Sequence, residues 1–232
     1  MSATALIVGA GSGISASFAR AAKSQAYNIV LASRTPANVA EFAAEIGAVT
    51  HACDATQPDQ VTELFAAADA SGTDIDIVLY NASARAPGPV TDLDPAAVAR
   101  SLAISAYGGF LVGQQAAQRM VPRGKGTILF TGASASVKGY KHSSIFAMGK
   151  HGLRGFASAL GRELAPQGVQ VCHFVIDGGV RNPAKGRVEG PDDPADKYLS
   201  PDAIADTYMH VVNQDRSSWS WEIELRPYGE NY

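Results

Sequence analysis

Short apolar runs alternate along the chain with longer stretches whose apolar residues recur every three or four positions. Residues 4–8, 27–32, 49–53, 76–80, 126–130 and 169–176 are compact runs rich in Val, Ile, Leu and Phe, and they read as strands. Most lack the in–out alternation of a half-exposed sheet, so they predict strands covered on both faces, as in a parallel sheet. Between them, residues 15–24 predict a helix with Phe18 and Ala22 four apart, and residues 38–46 predict another. A third opens at Pro58 and continues through Val61, Leu64, Phe65 and Ala68. Residues 95–120 predict one long helix with a weak point at Gly108-Gly109. Residues 146–164 place Leu153, Phe156, Leu160 and Leu164 on one face and stop at Pro166 and Gly168. A last helix over 201–212 and a last strand over 220–225 complete the pattern. Helical crossovers between buried strands predict an α/β fold, a doubly wound parallel sheet of about seven strands with right-handed connections. No linker divides residues 1–232, so one domain is expected. Residues 178–200, rich in Gly, Pro and charge, are expected to form a mobile substrate loop at the surface.

Composition narrows the partners. A net charge of −3 gives no basic excess for nucleic acid or an anionic membrane. Two cysteines, Cys53 and Cys172, are too few for a disulfide framework, and each lies in apolar sequence as a buried small side chain. His51, His173 and His210 are scattered without metal-ligand spacing, so no metal site is expected. No unbroken apolar run reaches the roughly 18 residues of a spanning helix, and no cationic leader precedes the first strand. The expectation is a cytoplasmic protein.

The first strand runs into Gly9-Ala10-Gly11-Ser12-Gly13-Ile14-Ser15 and then a helix. A glycine-rich turn lets the backbone approach a diphosphate, and the free N–H groups of the helix start hold it. Ile14 breaks the G-x-G-x-x-G dinucleotide spacing, and no Gly-Lys-Ser/Thr follows for a nucleoside triphosphate site. What remains is G-x-x-x-G-x-Ser anchored on Gly9 and Gly13. The second strand leads into Ser33-Arg34, where an acidic residue would bind the ribose 2′-hydroxyl of NAD; a guanidinium favours a 2′-phosphate, hence NADP.

At this point the chain resembles the short-chain dehydrogenase/reductase family over nearly its whole length. The family's T-G-x-x-x-G-x-G motif corresponds to residues 8–15, with Gly9, Gly11, Ser12, Gly13 and Ile14 as cofactor positions. The resemblance adds Asp54 and Ala55 after the third strand, with Asp54 toward adenine. It adds Asn81, Ala82 and Ser83 for N-N-A-G, and Gly178 and Val180 for the Pro-Gly segment after the sixth strand. Tyr-x-x-x-Lys corresponds to Phe146 through Lys150, and Lys150 is implied to hold the nicotinamide ribose. The tract 130–136, the segment 175–179 and the tail 224–227 resemble a divergent branch in which that tyrosine is often phenylalanine. The family usually assembles as a dimer or tetramer through its two long central helices.

The departures fall on the chemistry. The Asn, Ser and Tyr of the family tetrad correspond to Ser105, Ala133 and Phe146, and Lys150 alone is kept. Reduction of a carbonyl leaves an oxyanion that needs a proton, and loss of a positioned acid costs ~10²–10⁴ in rate. Ser134 adjoins the altered serine position; Tyr140 and His142 lie in the loop before the next helix. Tyr140 or Ser134 is therefore expected beside Lys150 in catalysis, although each also reads plainly as a loop or strand-end residue. A protonated imine needs no acid at all. Two readings stay open: an NADP(H)-dependent oxidoreductase with a non-standard acid–base site, and a catalytically silent NADP-binding protein.

Overall fold

The computed structural model describes residues 3–229. Seven strands, β1 (Thr4–Val8), β2 (Asn28–Ser33), β3 (Val49–Ala52), β4 (Ile75–Tyr80), β5 (Gly126–Thr131), β6 (Val169–Ile176) and β7 (Glu222–Leu225), form one parallel sheet in the order β3-β2-β1-β4-β5-β6-β7. Seven α-helices cover it: α1 (Ile14–Ser24), α2 (Ala40–Ile46), α3 (Pro58–Asp69), α4 (Pro95–Leu102), α5 (Gly108–Met120), α6 (Ser144–Leu164) and α7 (Pro201–Val212). The expected doubly wound architecture is the observed one.

The sheet has two apolar faces because alternate residues of each strand enter different cores. Leu6, Val78, Tyr80, Ile128 and Phe130 pack with Phe65, Val112, Leu153 and Leu160 of α3, α5 and α6. Ala5, Ile7, Leu31, Leu79 and Phe174 pack with Phe18, Ile204 and Tyr208 of α1 and α7. Phe174 stacks on Tyr208 at 3.8 Å between ring centroids, and the Tyr208 hydroxyl hydrogen-bonds to Thr131 Oγ1 at 3.1 Å. Both cysteines are buried; burial first, and a nearby carboxylate second, pushes Cys53 up to about 11 and Cys172 up to about 12.

Two expectations need correction. The helix expected over 95–120 is not continuous, since a π-helical turn, Ala103–Tyr107, separates α4 from α5. Gly108 and Gly109 are not the weak point but lie in α5, where they admit close neighbours. A Cβ on Gly108 would collide with the Tyr80 hydroxyl and sit 2.9 Å from the Ala55 carbonyl oxygen, and one on Gly109 would collide with Leu153. The second correction concerns membrane-spanning length. By length and composition alone, the helical stretch Pro95–Arg123 is long and apolar enough to cross a membrane. Counting unbroken apolar runs misses it because Ser, Gly and Gln interrupt the run. In the fold its Leu111, Val112, Ala116 and Met120 lie in the core between β4 and α6.

The 178–200 segment carries internal structure. Val180 and Leu199 form a parallel bridge, Asn182 and Arg187 an antiparallel one, and Arg181 grips Glu189 through two hydrogen bonds.

At the β6–β7 edge, His173 Nδ1 is 2.9 Å from Glu222 Oε2, and Glu222 also receives two hydrogen bonds from Arg154, at 2.6 and 2.8 Å. His173 is fully buried, and its Nε2 abuts Gly132 without a hydrogen-bond partner among the described residues. Burial outweighs the pull of Glu222 and pushes the imidazole from 6.5 down to about 4. As pH falls from 7, the unfolded chain protonates this histidine near 6.5 while the folded chain resists until about 4. The unfolded state therefore binds more protons in that window and stability is lost across it, by up to roughly 3 kcal/mol. His173→Gln removes the titration. Its melting temperature should close on that of the wild type, or overtake it, between pH 7 and 4.5; parallel melting curves across that range would contradict the assignment.

Candidate functional site

The glycine turn follows β1 and meets the loop that follows β4. Gly9 takes a positive φ of 83°, and a Cβ there would lie 2.6 Å from Ala82 Cα. Only glycine meets both demands. The turn is tied down from several sides. The Gly9 and Ala10 N–H groups both donate to the Ala32 carbonyl at 3.0 Å. The Ser15 hydroxyl donates to the Gly9 carbonyl at 3.2 Å, and the Asn81 amide donates to Ser15 Oγ at 2.8 Å and to the Gly9 carbonyl at 3.4 Å. Helix α1 then begins at Ile14 without a side-chain cap and without an acidic residue in its first turn. Its first N–H groups are left to an external acceptor, and the helix dipole favours an anion there.

The rim of this turn fits a phosphorylated ligand. A Cβ on Gly11 would meet no protein atom within 4 Å. Asn182, only 6% exposed, brings its amide nitrogen 3.3 Å from Ser12 Oγ and 3.3 Å from where a Gly13 Cβ would stand. Sequence reasoning missed Asn182; the available signal was that it is the one amide side chain between residues 178 and 200. At the end of β2, Ser33 Oγ is buried without a hydrogen-bond partner among the described residues. The neighbouring Arg34 is exposed and has no hydrogen bond or ion pair among the described residues. An orphaned hydroxyl and an unpaired guanidinium beside the glycine turn are the donors that a ribose phosphate needs.

The other expected cofactor positions take varied places. Asp54 Oδ1 accepts from the Thr56 N–H at 3.0 Å and the Thr56 hydroxyl at 2.8 Å, closing a turn after β3. Ala55 is buried with its carbonyl against Gly108, and Ser83 is exposed. Gly178 has a φ of 148°, and a Cβ there would sit 2.8 Å from Pro227 Cδ, so packing explains this glycine. Val180 packs against the α1–α7 core.

Helix α6 supplies the second half of the site. Lys150 is 2% exposed, and its Nζ donates to the Thr131 carbonyl at the end of β5, at 2.7 Å. Burial, and next the charge of Arg85, pushes the ammonium from 10.5 down to about 7. One helical turn earlier, Phe146 is 7% exposed and packs with Ala133, Ala135 and Ala147. Its ring centroid is 5.9 Å from Lys150 Nζ and 4.2 Å from the Arg85 guanidinium carbon. Arg85, two residues beyond the Asn81-Ala82-Ser83 turn, was not anticipated from the sequence.

The expected substitutes for the missing acid are Ser134, in a turn packed against α6, and Tyr140 and His142, in the loop before that helix. Ser134 begins a short 3-10 turn and is partly buried. Tyr140 is 44% exposed, beside Lys138, whose Nζ is 5.6 Å from its ring and 3.4 Å from Asp177 Oδ2. His142 is exposed with a φ of 58°, and its carbonyl accepts from the Gly88 N–H. Among the described residues no hydrogen bond or ring contact joins any of the three to Lys150 or Phe146. Ser105, at the tetrad's asparagine position, is fully buried in the π turn, where its hydroxyl meets the Ala84 N–H at 3.4 Å and carbonyl at 3.5 Å.

A family model for short chain dehydrogenases matches residues 3–188. The chain belongs to that family. This short-chain dehydrogenase is 26% identical over 229 residues to an uncharacterized oxidoreductase of Staphylococcus saprophyticus, covering 96% of each chain. It is 33% identical over 121 residues to (+)-borneol dehydrogenase 1 of Salvia officinalis, a match covering 51% of this chain and 46% of that one. A short-chain dehydrogenase from Rhodopseudomonas palustris superimposes with a TM-score of 0.83 at 30% identity, over 97% of this chain and 99% of that one. An archaeal alcohol dehydrogenase from Thermococcus sibiricus, complexed with 5-hydroxy-NADP, shares the fold with a TM-score of 0.88 at 21% identity, over 100% and 99% of the two chains.

The two glycines of the turn have separable jobs. Gly9→Ala should cost roughly 2–4 kcal/mol through its positive φ and its contact with Ala82. Gly11→Ala should leave stability within about 0.5 kcal/mol, since no protein atom stands near. Urea unfolding of both variants checks this; equal losses would show that the turn is not held as described.

Proposed function

We propose that this protein is an NADP(H)-dependent oxidoreductase acting on a small carbonyl or alcohol, or on an imine. The observation that carries the reading is the pairing of the anion-ready turn at Gly9–Ile14 with the unpartnered Ser33 hydroxyl and Arg34 guanidinium beside it. When bound, NADP(H) supplies or accepts the hydride. The N–H groups at Gly11 through Ile14, with Ser12 and Asn182, hold the diphosphate. Ser33 and Arg34 take the 2′-phosphate, and Asp54 and Ala55 border the adenine. Asn81, Ala82 and Ser83, with Gly178 and Val180, line the approach to the nicotinamide. Lys150 holds the nicotinamide ribose hydroxyls, a task that needs donors and not a tyrosine.

Proton handling divides the substrates. A carbonyl oxygen that gains electron density from the arriving hydride must receive a proton. Phe146 has none to give, so Lys150, Ser134 or Tyr140 would have to deliver it. A protonated imine already carries its proton, and hydride addition alone converts it to an amine. The buried apolar cluster of Phe146, Ala133, Ala135 and Ala147 favours a second reading, a protein that binds NADP without turnover. We also infer a homo-dimer or homo-tetramer, supported by the exposed Tyr107, Phe110 and Met148 on α4–α6 and the turn between them.

Titration of protein fluorescence with NADPH and NADH tests the reading. NADPH should bind at least tenfold tighter, and Arg34→Ala should remove most of that preference while leaving NADH unchanged, since a charge-assisted hydrogen bond is worth about 1.5–3 kcal/mol. No uptake of either dinucleotide would overturn it. Tight NADPH binding without oxidation across carbonyl and imine panels would select the silent alternative.

A further inference from the structure

Arg85 is held in place by its backbone, yet its charge is unanswered. The loop that carries it is pinned just before Arg85, where the Ala84 carbonyl accepts from Ser101 Oγ at 3.1 Å and from Ser105 Oγ at 3.5 Å. It is pinned again where the Gly88 N–H donates to the His142 carbonyl at 3.0 Å. The guanidinium lies over the Phe146 ring at 4.2 Å, a stacking arrangement that arginine favours on aromatic faces. No carboxylate among the described residues pairs with it. Burial first, and the charge of Arg187 in the 178–200 segment second, hold the Arg85 pKa below its usual value. Asp177, just after β6, is engaged by Lys138 and Arg226, both at 3.4 Å. Lys150 Nζ lies 5.9 Å from the centroid of the same ring and is buried. Two cations, Arg85 and Lys150, therefore lie against one phenyl ring, and Arg187 adds a third positive charge within electrostatic reach of Arg85.

Positive charges gathered in this way repel one another, and a ligand that brings negative charge relieves that repulsion. The planar fork of a guanidinium matches a carboxylate through two parallel hydrogen bonds, and the ring beneath fixes the plane in which they are offered. We propose that Arg85 is the binding site for the carboxylate of the substrate, so that this enzyme acts on a carbonyl or imine compound bearing a carboxylate. The proposal rests on the oxidoreductase reading for the word substrate, but the anion site itself does not need that reading. Phenylalanine at 146 then has a positive role as the platform on which Arg85 lies.

Calorimetric titration with benzoate and its neutral isostere benzamide tests the site, on protein first incubated with saturating NADPH. Benzoate should bind at least tenfold tighter than benzamide. Arg85→Met should abolish that preference, and Arg85→Lys should recover only part of it, since an ammonium has neither the fork nor the flat face. Circular dichroism and melting temperature of each variant confirm that it is folded. If NADPH fails to bind, the oxidoreductase reading fails, and the same pair titrated into the protein alone still decides the anion site. Equal affinities for benzoate and benzamide, or an Arg85→Met variant that binds benzoate within twofold of the wild type, would overturn the proposal. Where turnover is found, a 2-oxo acid should be reduced with higher kcat/KM than its methyl ester, and Arg85→Met should reverse the order.

Discussion

The contact between Gly9 and Ala82 is the constraint on which the site depends. Strands β1 and β4 are neighbours, and the chain leaves them toward opposite faces of the sheet. This opens a crevice at their carboxyl ends, where doubly wound sheets bind ligands. For the crevice to be a phosphate cradle, the two loops must touch at backbone distance. Gly9 permits this by lacking a side chain, and Asn81 enforces it through Ser15. Because the first turn of α1 has no side-chain cap, the hydrogen-bonding demand of its N–H groups points outward. On the proposed reading, a structural turn and an anion site are here the same object.

The α6 half of the site is organised around a different cost. An enclosed ammonium at Lys150 is kept with one carbonyl partner and a neighbouring guanidinium, so its proton is weakly held. A phenol beside it would offer a hydroxyl; Phe146 offers a ring face. The ring joins three alanines and shuts water from that wall, which strengthens every charge interaction left inside it. The loss of the phenol removes one way of delivering a proton, while the cradle for the cofactor is untouched. On the proposed reading, binding and proton transfer are carried by different elements, so one can change while the other persists.

Much of the fold could be read from the chain. Strands β1 and β6 and helix α7 coincide with the expected spans because each is a long apolar pattern closed by strong punctuation. Helix 95–120 was read as continuous because no proline or glycine marks residues 103–107. The π turn there is set by Tyr80, whose hydroxyl donates to the Ile104 carbonyl, and by Ser105 meeting the Ala84 backbone. Arg85 and Asn182 were illegible for the same kind of reason. Each looks like an ordinary loop residue until the fold lays it on Phe146 or Ser12. Tyr140 is legible as a loop residue, and the fold adds that its ring lies beside Lys138. Gly178 was read through a motif, yet its place is explained by Pro227, a partner from the far end of the chain.

The most direct measurement is a crystal structure of the protein grown with NADPH. The account predicts the diphosphate on the N–H groups of Gly11 through Ile14, the 2′-phosphate between Ser33 and Arg34, and the nicotinamide ribose on Lys150. A dinucleotide lying elsewhere, or one whose 2′-phosphate points away from Arg34 into solvent, would contradict it.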